Sequence, residues 1–344
     1  MIFSMAKDEF AHAVATASKV AARGDTRELA SLLFECDGGN NVTVSATDMD
    51  MSVKVRCTGV VEEPGCALLP AAKLSKMAHT LPDKPVTVTA DSGAATVKCG
   101  RVKFALVSLD ADDYPGVRSV EGDMMKLAAD DFARIAKGIA PLASSDQTRG
   151  VLQCVRFEAD GGTLTAVATD TYKLATVKVP CEGGFTAEVP AQLFAMAKPE
   201  GDVVMRCGGN CVALDAGAVE WTTRCIVGTY PRWQVLMKPA AAAAEIDVKE
   251  LRAAASRAGI VSKYVDFSLA DGKLSLAARD DGGQIIDELD VEQTGDDMRF
   301  TLDTTYLAST LQAFDGPRVT LLQSERPVLL HEGDTDALVM TMRR

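Results

Sequence analysis

The residues with chemistry in reach are few. Asp48-Met49-Asp50 could seat a divalent cation, and Asp170 could serve as an acid. Cys207-Gly-Gly-Asn-Cys211 could be read as a pair of metal ligands, but Gly-Gly-Asn between two strand-like runs is more simply a hairpin turn. The three histidines, His12, His79 and His331, stand in no recognisable nucleophile–base arrangement, and no phosphate loop of the GxxxxGK type occurs. These types and spacings assemble no catalytic set, so the expectation is a protein that is not an enzyme and uses no cofactor and no metal.

The chain itself must therefore carry the function. With 344 residues, and about 150 residues per domain, two or three domains are expected. Apolar residues make up 47% and charged residues 24%, enough for sizeable cores and too little charge for a disordered polyelectrolyte. The net charge of -12 excludes a protein that coats nucleic acid through its overall charge, while leaving room for a local basic surface. Nine cysteines, an odd number without a CxxC pair, suggest free thiols in a reducing compartment. The amino terminus places Asp8 and Glu9 where a signal peptide would be basic and then apolar, and no apolar run approaches a membrane span. The expectation is a soluble, cytoplasmic protein with no membrane partner.

One pattern recurs along the chain. VTVSATDMDMSVKV (42–55) resembles LTAVATDTYKLATVKV (164–179), with Asp48 and Asp170 122 residues apart. Pro70 and Pro190 follow at a spacing of 120, and Tyr114 and Tyr230 at 116. A fainter third copy runs through DFSLADGKLSLAARDDG (266–282) and FTLDTTYLASTLQAF (300–314), where Asp303 stands 113 residues beyond Pro190. Three repeats fill the chain, which puts domains at 1–120, 123–240 and 245–344.

Each repeat reads as an amphipathic helix (Lys7–Arg23, Asp130–Ala143, Asp247–Ala258), strands rich in Val and Thr, a short second helix and further strands: an α+β fold of two helices on antiparallel sheet. Asp8, Glu9, Asp130, Asp131, Asp247, Glu250 and Asp303 gather at helix starts, where free N–H groups favour them as caps. The runs RSVEGD (118–123) and PAAAAAE (239–245) read as linkers. The helical windows hold 11 basic against 7 acidic residues, leaving 25 against 41 elsewhere, so a comparatively basic helical layer could hold a phosphate backbone inside an acidic protein.

With TAVATDTYKLA (165–175), GRVKFALVSLDADDYP (100–115), RAGIV (257–261) and VMTMRR (339–344) in this order, the sequence closely resembles the bacterial DNA sliding clamp family, the beta subunits of the replicative DNA polymerase. That resemblance implies three structurally similar clamp domains per chain and a six-domain ring as a homodimer. It implies sequence-independent binding of duplex DNA inside the ring. It also implies processivity conferred on the DNA polymerase catalytic subunit, with a clamp loader and repair or other replication proteins binding through short peptides. It places Arg23, Arg27, Lys73, Lys76, Arg134, Lys137, Lys198, Lys249, Arg252 and Arg257 toward DNA.

The same resemblance walls a partner-peptide cleft with Leu152, Thr169, Thr171, Tyr172, Lys173, Leu174, Pro231, Gln234, Val235, Leu338, Met340, Thr341, Met342 and Arg343, a lining suited to apolar anchors. It closes the ring with Phe104 and Leu106, flanked by Arg101 and Lys103, against Ile260 and Val261 of the other chain, with Asp287 as an opposite charge. The chain departs from the family where Thr171-Tyr172-Lys173 replaces a frequent Gly-His-Arg, where Thr341 replaces a proline, and in a PRWQV stretch one residue short. Those departures motivate a rival, a specialised clamp-like scaffold that binds replication or repair peptides without encircling DNA.

Overall fold

A computed structural model describes residues 1–22, 24, 26–237, 242–323 and 327–342. Arg23 and Arg343, assigned to the DNA-facing and cleft sets above, lie outside the described residues.

The strands form where β-branched residues alternate with polar ones. In Asn41–Thr47, Val42, Val44 and Ala46 are all fully buried. The chain divides into two compact units, Met1–Met124 with Pro199–Arg224, and Met125–Lys198 with Cys225–Arg344. This grouping cuts through the middle repeat because sheets run on from one repeat to the next. Met51–Thr58 of the first repeat pairs antiparallel with Val219–Arg224 of the second, and Lys173–Pro180 of the second pairs with Thr335–Val339 of the third.

The first unit holds a five-stranded sheet in the order Val60–Glu63, Ile2–Met5, Val86–Asp91, Ala94–Cys99, Val102–Val107. A second run of strands continues from Val203–Gly208 through Cys211–Ala216, Val219–Arg224, Met51–Thr58, Asn41–Thr47 and Ser31–Cys36 to Gly65–Pro70. Helices α1 (Lys7–Ala17) and α2 (Ala71–Ala78) pack on each other. Phe34 stacks on Phe3 at 6.1 Å and on Phe10 of α1 at 6.2 Å, joining sheet and helix in one core.

In the second unit, Phe132 of α3 (Ala129–Arg134) stacks on Phe194 of α4 (Ala191–Met196) at 5.5 Å, and Phe157 meets Phe194 at 5.7 Å. Phe132 and Phe157 thus repeat the roles of Phe10 and Phe34. The third repeat packs α5 (Val248–Val261) and α6 (Thr304–Thr310) beside a four-stranded sheet whose Phe267 and Phe300 stack at 5.1 Å. Pro70, Pro190 and Asp303, aligned from the sequence, are the N-cap residues of α2, α4 and α6.

Three expectations need correction. Ala242–Asp247, which overlaps the run 239–245 read as a linker, is a strand between Arg318–Gln323 and Glu292–Gly295, with Ala242 and Ala244 buried. Pairing on both sides overrides the poor strand preference of alanine. Of the acidic residues at helix starts, Asp247 and Asp303 do cap, accepting from Lys249 N–H and Thr305 N–H. Asp8, Glu9, Asp130 and Asp131 instead sit in the first turns of α1 and α3, which have no side-chain cap, and there they still face the positive helix end. The helix expected over 130–143 is α-helical only to Arg134, then a π turn at Ile135–Ile139 and a 3-10 turn at Ala140–Leu142.

Candidate functional site

The aspartates that might have held a metal or a proton are turn residues. Asp48 Oδ1 accepts from the N–H groups of Asp50 (3.0 Å) and Met51 (2.7 Å), and Asp170 Oδ1 accepts from Tyr172 and Lys173, both at 2.9 Å. Thr47 and Thr169 complete the turns by donating to the carbonyls of Met51 and Lys173 at 2.9 and 2.7 Å. The third repeat keeps the same turn at Asp280, whose Oδ1 accepts from Gly282 and Gly283. Met49 and Thr171 both take a left-handed backbone, φ 80° and 81°, which an L side chain tolerates only where surrounding bonds enforce it. Cys207 and Cys211 flank a hairpin turned at Gly209-Asn210, both with positive φ, and none of the nine cysteines is in a disulfide. Among the described residues no three His, Cys, Asp or Glu side chains gather as a metal cluster.

Beside the Asp170 turn, the strand pair Lys173–Pro180 and Thr335–Val339 sets Leu174 directly opposite Leu338. With Val167, Tyr230 and Leu329 they form a buried apolar floor. Val151, Trp233, Leu236, Met237, Leu322 and Met340 stand half-buried around it, so the floor is walled by side chains that still face solvent in part. Burial pushes the Tyr230 phenol well up from its ordinary value, and its hydroxyl donates to the Val167 carbonyl at 3.2 Å. After the last strand, Met340 N–H donates to Tyr172 O and Met342 N–H to Thr301 O, both at 2.8 Å.

The expected cleft set divides on this geometry. Leu174, Leu338 and Met340 come together. Thr171 and Tyr172 form the lip, where Tyr172 stacks on Tyr306 at 5.3 Å. Thr169 and Lys173 are structural: Thr169 is spent on the turn, and the buried Lys173 Nζ sits 3.5 Å from Asp170 and 3.4 Å from the Pro141 carbonyl. Val151 rather than Leu152 packs on the floor. The 3-10 turn Trp233–Leu236 turns Trp233 and Leu236 inward and leaves Pro231, Gln234 and Val235 exposed. Thr341 and Met342 are half-buried beyond Met340. Sequence reasoning missed Trp233, Leu236, Met237, Leu322, Leu329 and Tyr306, together with Arg149, which clamps the lip through Asp170 O at 2.8 Å and Thr171 Oγ1 at 3.3 Å.

The basic set divides too. Arg27, Lys73, Lys76, Lys137, Lys198 and Lys249 are exposed. Arg134 bonds Asp131 and Thr335 Oγ1, both at 3.4 Å, and Arg252 donates to the carbonyls of Leu311 and Phe314 at the end of the α6 segment. Arg257 pairs with Asp287 at 2.6 Å, so the carboxylate expected to face another chain already has a partner in its own. Of the ring-closure residues, Phe104 and Leu106 lie on Val102–Val107, an edge strand of the five-stranded sheet, beside exposed Arg101 and Lys103. Ile260 of α5 is 83% exposed, Val261 is half-buried, and the edge strand Gln284–Asp290 carries Ile286 at 67% exposure.

Comparison with known proteins agrees with the repeats. Family models for the N-terminal, central and C-terminal domains of the DNA polymerase III beta subunit match residues 1–118, 126–232 and 234–343. The chain belongs to that family, and its three similar domains are the family's three. A curated relative, the beta sliding clamp of Streptomyces coelicolor, is 28% identical over 94% of this chain and 92% of its own length. Two solved structures share the fold over the whole of both chains. One is a DNA polymerase III beta subunit from Pseudomonas aeruginosa bound to griselimycin, with a TM-score of 0.93 at 24% identity. The other is a beta subunit from Eubacterium rectale, with a TM-score of 0.94 at 19% identity.

Proposed function

We propose that this chain is a sliding clamp: two copies close head to tail into a ring of six domains around duplex DNA, and each presents an apolar cleft to short peptides of its partners. The observation that carries the reading is the apolar cluster of Leu174, Leu338, Val167, Tyr230 and Leu329 beside the Asp170 turn, covered by half-buried Val151, Trp233, Leu236, Met237, Leu322 and Met340 that still face solvent in part. Such a floor suits Leu- or Phe-like anchors, and the adjustable Met237 and Met340 at its wall suit more than one of them. Peptides from the polymerase catalytic subunit, a clamp loader and repair proteins would compete there. The reading keeps domains at 1–120, 123–240 and 245–344, supported by the starts of α3 and α5 soon after the second and third begin. No step is catalytic, no cofactor is involved, and the working compartment is the cytoplasm.

Exposed lysines, not paired arginines, supply the phosphate contacts in this account. Such contacts carry no sequence information, and topology retains the protein while they exchange. Ring closure would use the two free edges, Val102–Val107 and Gln284–Asp290, with Phe104 and Leu106 against Ile260, Val261 and Ile286. Exposed apolar edge strands normally invite another strand, and a closed ring satisfies both. Together Lys73→Glu, Lys137→Glu and Lys249→Glu should shorten primer extension by the loaded polymerase on circular DNA while leaving apolar peptide binding intact. Unchanged processivity would favour the rival reading, a scaffold that binds peptides without encircling DNA.

A further inference from the structure

The turn, strand pair and tyrosine that frame the apolar cleft recur in the first unit around a pocket of different chemistry. Met51 pairs with Thr223 as Lys173 pairs with Val339, and Arg224 N–H donates to Asp50 O at 3.0 Å as Met340 N–H does to Tyr172 O. Tyr114 accepts from Thr47 N–H at 2.8 Å on the strand that corresponds to the one Tyr230 holds. In this frame the floor pair Leu174–Leu338 becomes Ser52–Thr222, and Met340 becomes Arg224. The result is an open cavity of about 160 Å³, lined by Thr47, Ser52, Thr222 and Thr223 below and by Met49, Asp50, Pro115, Arg118 and Arg224 at the rim.

Two features make this a site and not a blank repeat. Thr222 is 4% exposed and lines the cavity beside Ser52 and Thr223, so its lining offers hydroxyl-bearing side chains where the first cleft offers leucines. The Arg118 and Arg224 guanidinium groups at the rim have no carboxylate partner among the described residues, and two such forks are suited to a planar carboxylate. Asp50 leaves the rim with a net single positive charge, which one carboxylate neutralises and a phosphate dianion would exceed. Met49 and Pro115 offer apolar contact to the methylenes of an acidic side chain.

We infer that this pocket is a second partner site, which takes an acidic side chain of a peptide where the first takes apolar ones. The inference rests on the peptide reading of the apolar cleft, since it carries the same frame over to a polar lining. A partner peptide with an acidic residue outside its apolar anchor could engage one or both junctions of a chain.

Methionine methyl NMR separates the two sites, because Met49 borders the polar pocket and Met340 the apolar cleft. The intact protein, labelled at its methionine methyls and assigned with Met49→Leu and Met340→Leu, is titrated with a capped tripeptide carrying a central glutamate, its glutamine counterpart, and inorganic phosphate. The glutamate peptide should move the Met49 signal saturably and the glutamine peptide should not. Arg118→Gln with Arg224→Gln should weaken the effect at least roughly tenfold, as expected for losing charge-assisted bonds. An unmoved Met49 signal, or movement of Met340 alone, overturns the inference. Phosphate acting as strongly as the glutamate peptide also overturns it, in favour of a general anion site. A separate titration with an apolar pentapeptide, read at Met340, tests the cleft reading, so the two can fail independently.

Discussion

Tyr114 and Tyr230, 116 residues apart, hold equivalent strands through their hydroxyls, one accepting from Thr47 N–H at 2.8 Å and the other donating to Val167 O at 3.2 Å. Each pins the segment after the last strand of its repeat against the strand that leads into an aspartate turn. The apolar cleft and the polar pocket owe their shape to this arrangement, which fixes the wall relative to the floor.

The phenols should reveal it in alkali. Burial raises the Tyr114 pKa from 10.0 to about 12, the Thr47 bond only partly offsetting it. A raised acid pKa means stability that is complete below pH 10 and is lost as pH rises through about 12, because the unfolded phenol ionises first. The contribution is on the order of 3 kcal/mol, at about 1.36 kcal/mol per unit. In a phenolate absorbance titration, Tyr114→Phe should shrink the late phase and leave the early phase unchanged; a smaller early phase would show that the buried phenol titrates freely.

Asp170→Ala removes the acceptor of two backbone N–H groups and the partner of Lys173. It should cost about 1–3 kcal/mol in urea unfolding and loosen the lip carrying Thr171 and Tyr172. Asp170→Asn keeps the Oδ1 acceptor and should cost less. Equal losses in both variants would mean that charge, not the turn, is what the aspartate supplies.

The cleft makes a sharper demand. Met340→Asp puts a charge at the wall of an apolar floor, beside Leu338, while the backbone bond to Tyr172 persists. Calorimetry with an apolar pentapeptide should show at least roughly tenfold weaker binding, since stranding a charge against an apolar ligand costs more than 1.4 kcal/mol. Stability should change little, because Met340 is only partly buried. Unaltered binding would move the peptide site elsewhere.

Much of this was legible in the amino-acid sequence, for a physical reason. Asp48, Asp170, Pro70, Pro190, Tyr114 and Tyr230 are each required by a specific turn, cap or hydroxyl bond, so they recur at nearly constant spacing. The cleft was legible only in part. Leu174 and Leu338 are reached through the family resemblance, but Leu329, Leu322 and Tyr306 reach the site through strand and helix packing from far along the chain. Trp233, not Val235, packs on the floor because of how the 3-10 turn carrying both is oriented. Alanines 242–244 carry no pattern of their own and become a strand through their neighbours.

Ring closure is the central claim, and solution mass by sedimentation tests it most directly. One chain is 36.4 kDa, so two give about 73 kDa. The account predicts that mass at micromolar concentration, and conversion to the single-chain mass by Phe104→Arg, which sets a charge on the free edge strand. A wild-type protein that sediments as one chain, or a dimer indifferent to Phe104→Arg, would contradict closure through these edges.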